Sequence, residues 1–238
     1  FLMWGVAEDH SSNPIKIGLE KLKRKGGKFV TVNPVRTGYS AIADEWLPIK
    51  PGMDGLLAMS MVHVLLKHEK FDYEFLVRYT NASWLVVQAP GQKGDGLFLR
   101  DENDQPLIWD IDKEAFRNGL DGDIAPALFG EYVAPDGRRV KTVMSLMAER
   151  YLDARYAPEN VALECGLPAE TIERIALEMA HVAFQETVEL PIEWTDVWGR
   201  KHDKVVGRPV AMYAMRGIAA HSNGFHSCRA IHMIQMLL

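Results

Sequence analysis

Cysteine is scarce, with two in 238 residues, and the pair, Cys165 and Cys228, stand far apart. A disulfide framework is excluded, and both thiols read as reduced and structural. No apolar run approaches the roughly 18 residues of a membrane helix, so direct membrane insertion is not expected. Positive charge is not in excess: the net charge is −5, which argues against a nucleic-acid surface. Neither a Gly-x-Ser-x-Gly elbow nor a Walker A loop occurs. Gly91, Gly94 and Gly96 lack a strand before and a helix after them, so they form no dinucleotide fingerprint. Internal repeats and low-complexity segments are missing too. Cys228 and His232 lie four apart, but on a core-like helix with no second cysteine near, so no metal ligand is assigned.

What is present is a strand–helix–strand pattern. Phe1–Val6 reads as a buried strand, and residues 8–14 as a loop in which Ser12 or Asn13 caps a helix and Pro14 suits its first turn. Ile15, Leu19 and Leu22 recur at helical spacing, Gly26-Gly27 ends the helix, and Lys28–Val32 is the next strand. So compact a unit predicts a right-handed parallel crossover. The spacing further predicts a buried helix over Gly55–Lys67, a helix capped by Asp72 that runs to Tyr79, and a hairpin pairing Leu97–Arg100 with Leu107–Trp109. Helices are also expected over Val140–Tyr151, Ala169–Phe184 and Phe225–Leu238, with a strand at Val210–Met215. The fold class is therefore α/β, a doubly wound, mostly parallel sheet plus part of a second α/β domain. Residues 1–185 form the first domain, with a hairpin insertion near 90–125, and 186–238 return into the neighbour. Beginning in mid-strand and ending in an apolar helix without a glycine cap, the chain reads as a piece of a longer polypeptide.

Four segments at strand ends carry candidate chemistry. Trp4, Gly5, Val6, Ala7, Glu8, Asp9, His10 and Ser11 follow the first strand; glycine there lets a ligand approach the backbone, and the next helix start favours a phosphate. Glu8 and Asp9 oppose a naked phosphate, and an ordinary strand-to-helix turn reads the same way. In Asn33, Pro34, Val35, Arg36 and Thr37, a fixed turn offers donors to a phosphate or sugar, or else an Asx-turn caps a helix. Gly52, Met53 and Asp54 place a carboxylate at a helix start, where it caps the helix or accepts the N1–H and amine of guanine. Arg216, Gly217, Ala220, His221, Ser222 and Asn223 form a small-residue turn with polar contacts, or a plain tight crossover.

These segments, in this order, resemble the molybdopterin-guanine-dinucleotide oxidoreductases, the dimethyl sulfoxide reductase superfamily. Asn33–Thr37 followed by Ala43-Asp44 and Leu47-Pro48-Ile49 through Asp54 is the most specific combination. The resemblance implies that the first three segments hold the guanosine and diphosphate of a molybdopterin guanine dinucleotide (Mo-bis-MGD), and that Arg216–Gly224 approaches the pterin. It implies redox or oxygen-atom-transfer chemistry in the whole protein, with no catalytic residue in this piece and a [4Fe–4S] cluster in a preceding part. The implied partners are the rest of the large subunit, a membrane anchor and an iron–sulfur electron-transfer subunit. The implied place is the cytoplasmic or periplasmic face of a prokaryotic membrane, the cytoplasmic preferred. Tyr79-Thr80-Asn81-Ala82 and Ala220–Gly224 resemble the branch acting on inorganic sulfur compounds. Ala7-Glu8 and Ala220 depart from the family, where many members have Asn-Pro and Gln; Met53 replaces a frequent Thr. The rival reading is a non-catalytic α/β module binding a nucleotide or a partner.

Overall fold

The computed structural model describes residues 1–6, 14–36, 38–197 and 199–238. In chain order, β1 (Leu2–Trp4), α1 (Ile15–Arg24), β2 (Val30–Val32), α2 (Tyr39–Ile42), β3 (Glu45–Leu47) and α3 (Asp54–Lys67) come first. Next are α4 (Tyr73–Tyr79), β4 (Leu85–Gln88), β5 (Leu107–Asp110), β6 (Ala115–Asn118), β7 (Glu131–Val133), β8 (Arg139–Thr142) and α5 (Val143–Tyr151). After a 3-10 turn at Ala154–Tyr156 follow α6 (Pro158–Cys165), α7 (Ala169–Gln185), β9 (Val188–Leu190), β10 (Trp194–Thr195), β11 (Lys201–His202), β12 (Val205–Gly207), β13 (Met212–Ala214), α8 (Arg216–Ala219) and α9 (Gly224–Leu237). The contacts divide this into two compact units, Phe1–Phe71 with Ala154–Leu238, and Asp72–Asp153.

In the first unit an all-parallel sheet runs in the order β13-β1-β2-β3. Its register aligns Trp4 with Val32 and Ala214, and Val32 with Leu47, so all four strands end on one rim. The α/β class and the parallel crossover are as expected. β1 and β2 are buried throughout, as strands covered on both faces should be. Met3, Val6, Leu19, Phe29 and Tyr39 form one core cluster, with Ile15 and Leu22 packed against it. Gly26 takes φ +80° and the Gly27 N–H donates to the Leu22 carbonyl, which stops α1. Helix α3 is buried almost all round and packs on α6, α7 and α9. Residues 212–214, in the segment set apart at 185 by the sequence reading, form β13 and pair with β1.

The second unit is antiparallel, with a sheet in the order β4-β8-β7 and a separate β5-β6 hairpin. The Asp72 carboxylate accepts from the Phe75 N–H (2.9 Å), the cap expected for α4. Two expectations fail here. The hairpin joins Leu107–Asp110 to Ala115–Asn118, not to Leu97–Arg100. The polar turn at 101–105 exists, with Asp101 accepting from the Asn103 and Gln105 N–H groups, but its arms meet in an isolated bridge. The Asp110 carboxylate closes the tighter turn by accepting from Asp112 and Lys113. The helix expected from Val140 begins at Val143 instead, because residues 139–142 pair with β4 and β7. The Thr142 hydroxyl then accepts from the Ser145 N–H and caps it. Among the described residues no helix is long and apolar enough to cross a membrane.

Candidate functional site

The parallel register dictates the site: residues following four strand ends must share one edge of the sheet. Gly5, Asn33, Pro48 and Met215 each come next after their strand. Hydrogen bonds knit them further, with the Gly5 N–H donating to the Val32 carbonyl (3.0 Å) and the Asn33 N–H to the Leu47 carbonyl (3.2 Å). Such a carboxyl-end rim is where open α/β sheets take ligands.

Gly5 has φ +53°, and a Cβ on it would stand 2.8 Å from Ile218 Cδ1. A Cβ on Gly217 would stand 2.6 Å from the Gly5 carbonyl oxygen. The first and fourth motifs are thus in direct contact, and the Gly5 carbonyl leaves no room for a side chain on Gly217. Trp4 and Val6 turn their side chains into the core, Trp4 with 0% exposure. The Trp4 indole N–H is buried with no hydrogen-bond partner among the described residues. Ala7, Glu8, Asp9, His10 and Ser11 lie outside the described residues, as do Thr37, Ser12 and Asn13. The cap expected from Ser12 or Asn13 falls instead on Pro14, which holds the cap position of α1 without a side-chain hydrogen bond.

At the second motif the Asn33 side chain accepts from the Val35 N–H (3.3 Å), making an Asx-turn, but it caps no helix, since Gly38 holds the cap position of α2. Trp46, which the sequence reading passed over, donates its indole N–H to the Asn33 carbonyl (2.7 Å). The Arg36 guanidinium stands over the Trp46 ring, 5.8 Å from its centroid, which holds an exposed cation in place. No carboxylate among the described residues pairs with Arg36. Pro34 and Val35 are exposed beside it. No local pattern marked Trp46: its indole reaches the turn after β2 only because β3 pairs beside β2.

At the third motif Asp54 is the first residue of α3 and 7% exposed. It is no cap: Met53 holds the cap position, without a side-chain hydrogen bond. No side-chain donor among the described residues reaches the Asp54 carboxylate. Burial pushes its pKa above the ordinary carboxylate range, while its own backbone N–H and the charge of His221 act against that. His221 therefore lies within electrostatic reach of Asp54, which links the third and fourth motifs. Gly52 adopts φ +82° with open space where a side chain would begin. Arg216, Gly217, Ala220, His221, Ser222 and Asn223 are all exposed.

The donor set on this rim is specific in chemistry. It holds a buried carboxylate able to accept two parallel N–H groups, and two exposed arginines, Arg36 and Arg216, with no carboxylate paired to them among the described residues. A guanosine diphosphate presents their complements, an amidine-like N–H pair on the base and anionic oxygens on the tail. The residues present fit such a group.

No family model matches the chain. It is 47% identical over 254 aligned residues to a sulfite dehydrogenase subunit of Allochromatium vinosum, covering all of this chain and 25% of that protein. It is 30% identical over 216 residues to the alpha subunit of perchlorate reductase from Dechloromonas aromatica, covering 75% of this chain and 23% of that one. Among solved structures, acetylene hydratase from Pelobacter acetylenicus matches with a TM-score of 0.52 at 16% identity, over 99% of this chain and 21% of the other. The chain spans a quarter or less of the length of these relatives.

Proposed function

This chain belongs to the dimethyl sulfoxide reductase superfamily of molybdopterin oxidoreductases, as a portion of a large subunit, and from that premise we propose that its carboxyl-end rim holds the guanosine diphosphate end of a molybdopterin guanine dinucleotide. Asp54 reads the guanine edge, accepting the ring N–H and the exocyclic amine together. Each hydrogen bond to a charged group is worth about 1.5–3 kcal/mol, and more where water is excluded. Arg36, braced on Trp46, addresses the diphosphate or ribose with Asn33 and Thr37. The contact between Gly5 and Gly217 brings the first and fourth loops together, so that backbone without side chains borders the tail. His221, Ser222 and Asn223 border the pterin. When bound, the cofactor supplies redox chemistry at molybdenum; this chain supplies position and electrostatics. The whole protein is proposed to act on an inorganic sulfur compound, which the full-chain likeness to a sulfite dehydrogenase subunit supports. Electrons would leave through a [4Fe–4S] cluster and an iron–sulfur partner.

One observation carries this reading. A carboxylate that is 7% exposed and meets no side-chain donor among the described residues is costly to fold around, and a donor supplied by a ligand removes the cost. The test replaces Asp54 by Asn in the full-length protein and measures molybdenum and released nucleotide. Occupancy is expected to fall and the preference for guanine over cytosine to collapse. Wild-type occupancy with an unchanged base preference would take Asp54 out of this role.

A further inference from the structure

The turn that delivers Asp54 is held by a helix end far away in sequence. The Met53 N–H donates to the Lys50 carbonyl (3.2 Å), closing the turn over Pro51 and Gly52. On one side of Gly52, the Lys50 N–H donates to the Cys165 carbonyl (2.9 Å) and the Lys50 ammonium to the Leu163 carbonyl (2.8 Å). On the other side, the Cys165 thiol donates to the Met53 carbonyl at 3.8 Å. Leu163 and Cys165 belong to the last turn of α6, where carbonyls lack helical partners and the dipole favours a cation. Gly166 closes α6 in the left-handed region at φ +75°. A Cβ on it would stand 3.0 Å from Lys50 Cγ and 3.3 Å from Cε, so glycine lets the lysine stem lie across the helix end. Cys165 has 0% exposure. Burial, with Glu164 and Asp54 nearby and Lys50 opposing, pushes its thiol up to about 12, so it stays a donor.

We propose that the C-terminal end of α6, through Cys165, Gly166 and Lys50, is a positioning clamp that sets Asp54 for guanine recognition. This rests on the reading of the rim as a nucleotide site and adds the residues that tune it. Gly52, at φ +82° and uncrowded, is the freest joint of the turn, and the clamp grips the chain at Lys50 and at Met53, on either side of it. Reading two N–H groups at once tolerates about 0.5 Å of error in the carboxylate. Lys50, Cys165 and Gly166 touch no ligand and act through Asp54.

The experiment uses the full-length subunit purified without cofactor, with GDP and CDP as probes. Lys50→Met and Gly166→Val are expected to speed hydrogen exchange across residues 51–57 and to weaken GDP about tenfold, the scale of one charged hydrogen bond. CDP affinity should hardly move, so the GDP-to-CDP ratio falls with it, and Lys50→Arg should restore GDP binding. Lys50→Met changes an exposed side chain and so tests the clamp even if Gly166→Val fails to fold. Wild-type GDP affinity in both variants, beside an Asp54→Asn control that loses GDP, would overturn the clamp and leave the site intact. An Asp54→Asn control that keeps GDP would overturn the site reading, and the clamp's purpose with it.

Discussion

The two ends of the parallel sheet treat charge in opposite ways. At the amino end, Lys28 leads into β2 and Glu45 opens β3, and both are paired. Lys28 reaches Glu178 at 2.6 Å and Glu45 at 3.3 Å, while Arg174 bridges Glu45 and Glu178. Asp44 is held by Lys23 at 2.9 Å and accepts from the Phe29 N–H. At the carboxyl end, Arg36 has no carboxylate and Asp54 no cationic partner within ion-pair distance, among the described residues. A closed electrostatic network marks a surface finished by folding. Opposite charges left apart on one rim, one of them buried, mark a surface that something else completes.

The largest expected effect comes from closing the rim sterically. Gly217→Val places a side chain against the Gly5 carbonyl, which has no room for a Cβ. GDP affinity of the cofactor-free full-length subunit should drop by about tenfold or more, the equivalent of one or two lost hydrogen bonds. Hydrogen exchange at the amino ends of β2 and β3 should stay as in the parent. Loss of protection at both ends alike would erase the distinction between them.

A middle-sized effect separates the two ends by exchanging which arginine is removed. Arg36→Gln should weaken GDP about tenfold and flatten its salt dependence, because a cation facing a diphosphate is lost. Arg174→Met should leave GDP affinity unchanged and cost about 1 kcal/mol or less of stability, since its ion pairs are partly exposed and screened. Equal GDP losses in the two variants would show that charge anywhere on the unit serves the ligand, and the comparison would lose its content.

What could be read from the residues alone divides along physical lines. Lys28–Val32, Gly26-Gly27 and the Asp72 cap were legible because each is a local pattern with a local cause. The Gly5, Asn33 and Arg36 positions were legible for the same reason, as turn residues after strands, and Asp54 as a carboxylate at a helix start, although not as its cap. Illegible were features whose cause lies far along the chain. Residues 139–142 resemble a helix start until β4 and β7 supply partners on both sides. Leu97–Arg100 has the composition of a strand, but the Asp110 turn offers a shorter closure to β6. Helix α6 had a signal, Pro158 in its first turn and Gly166 after its end, that went unused. Cys165 gave no hint of its contact with Met53, 112 residues earlier in the chain.

The smallest expected effect is the most diagnostic, because its sign differs between the two ends. Hydrogen bonds from Lys23 and the Phe29 N–H hold Asp44 below its ordinary value of 3.8. For Glu45 and Glu178, burial works upward, but bonds from Arg174 and Lys28 outweigh it and hold both below 4.5. Their stabilisation is complete above those ordinary values and is lost as pH falls through the depressed folded ones. Asp54 is the reverse. Burial raises its folded pKa above 3.8, so its contribution favours folding in acid and is lost as pH rises through the raised value. Asp54→Asn should therefore be slightly more stable than the parent at neutral pH while binding guanine less well, and local hydrogen exchange at α3 against pH would record it. A variant less stable than the parent at neutral pH would mean that the carboxylate serves the fold. The unpaired end of the sheet would then be no different in kind from the paired one.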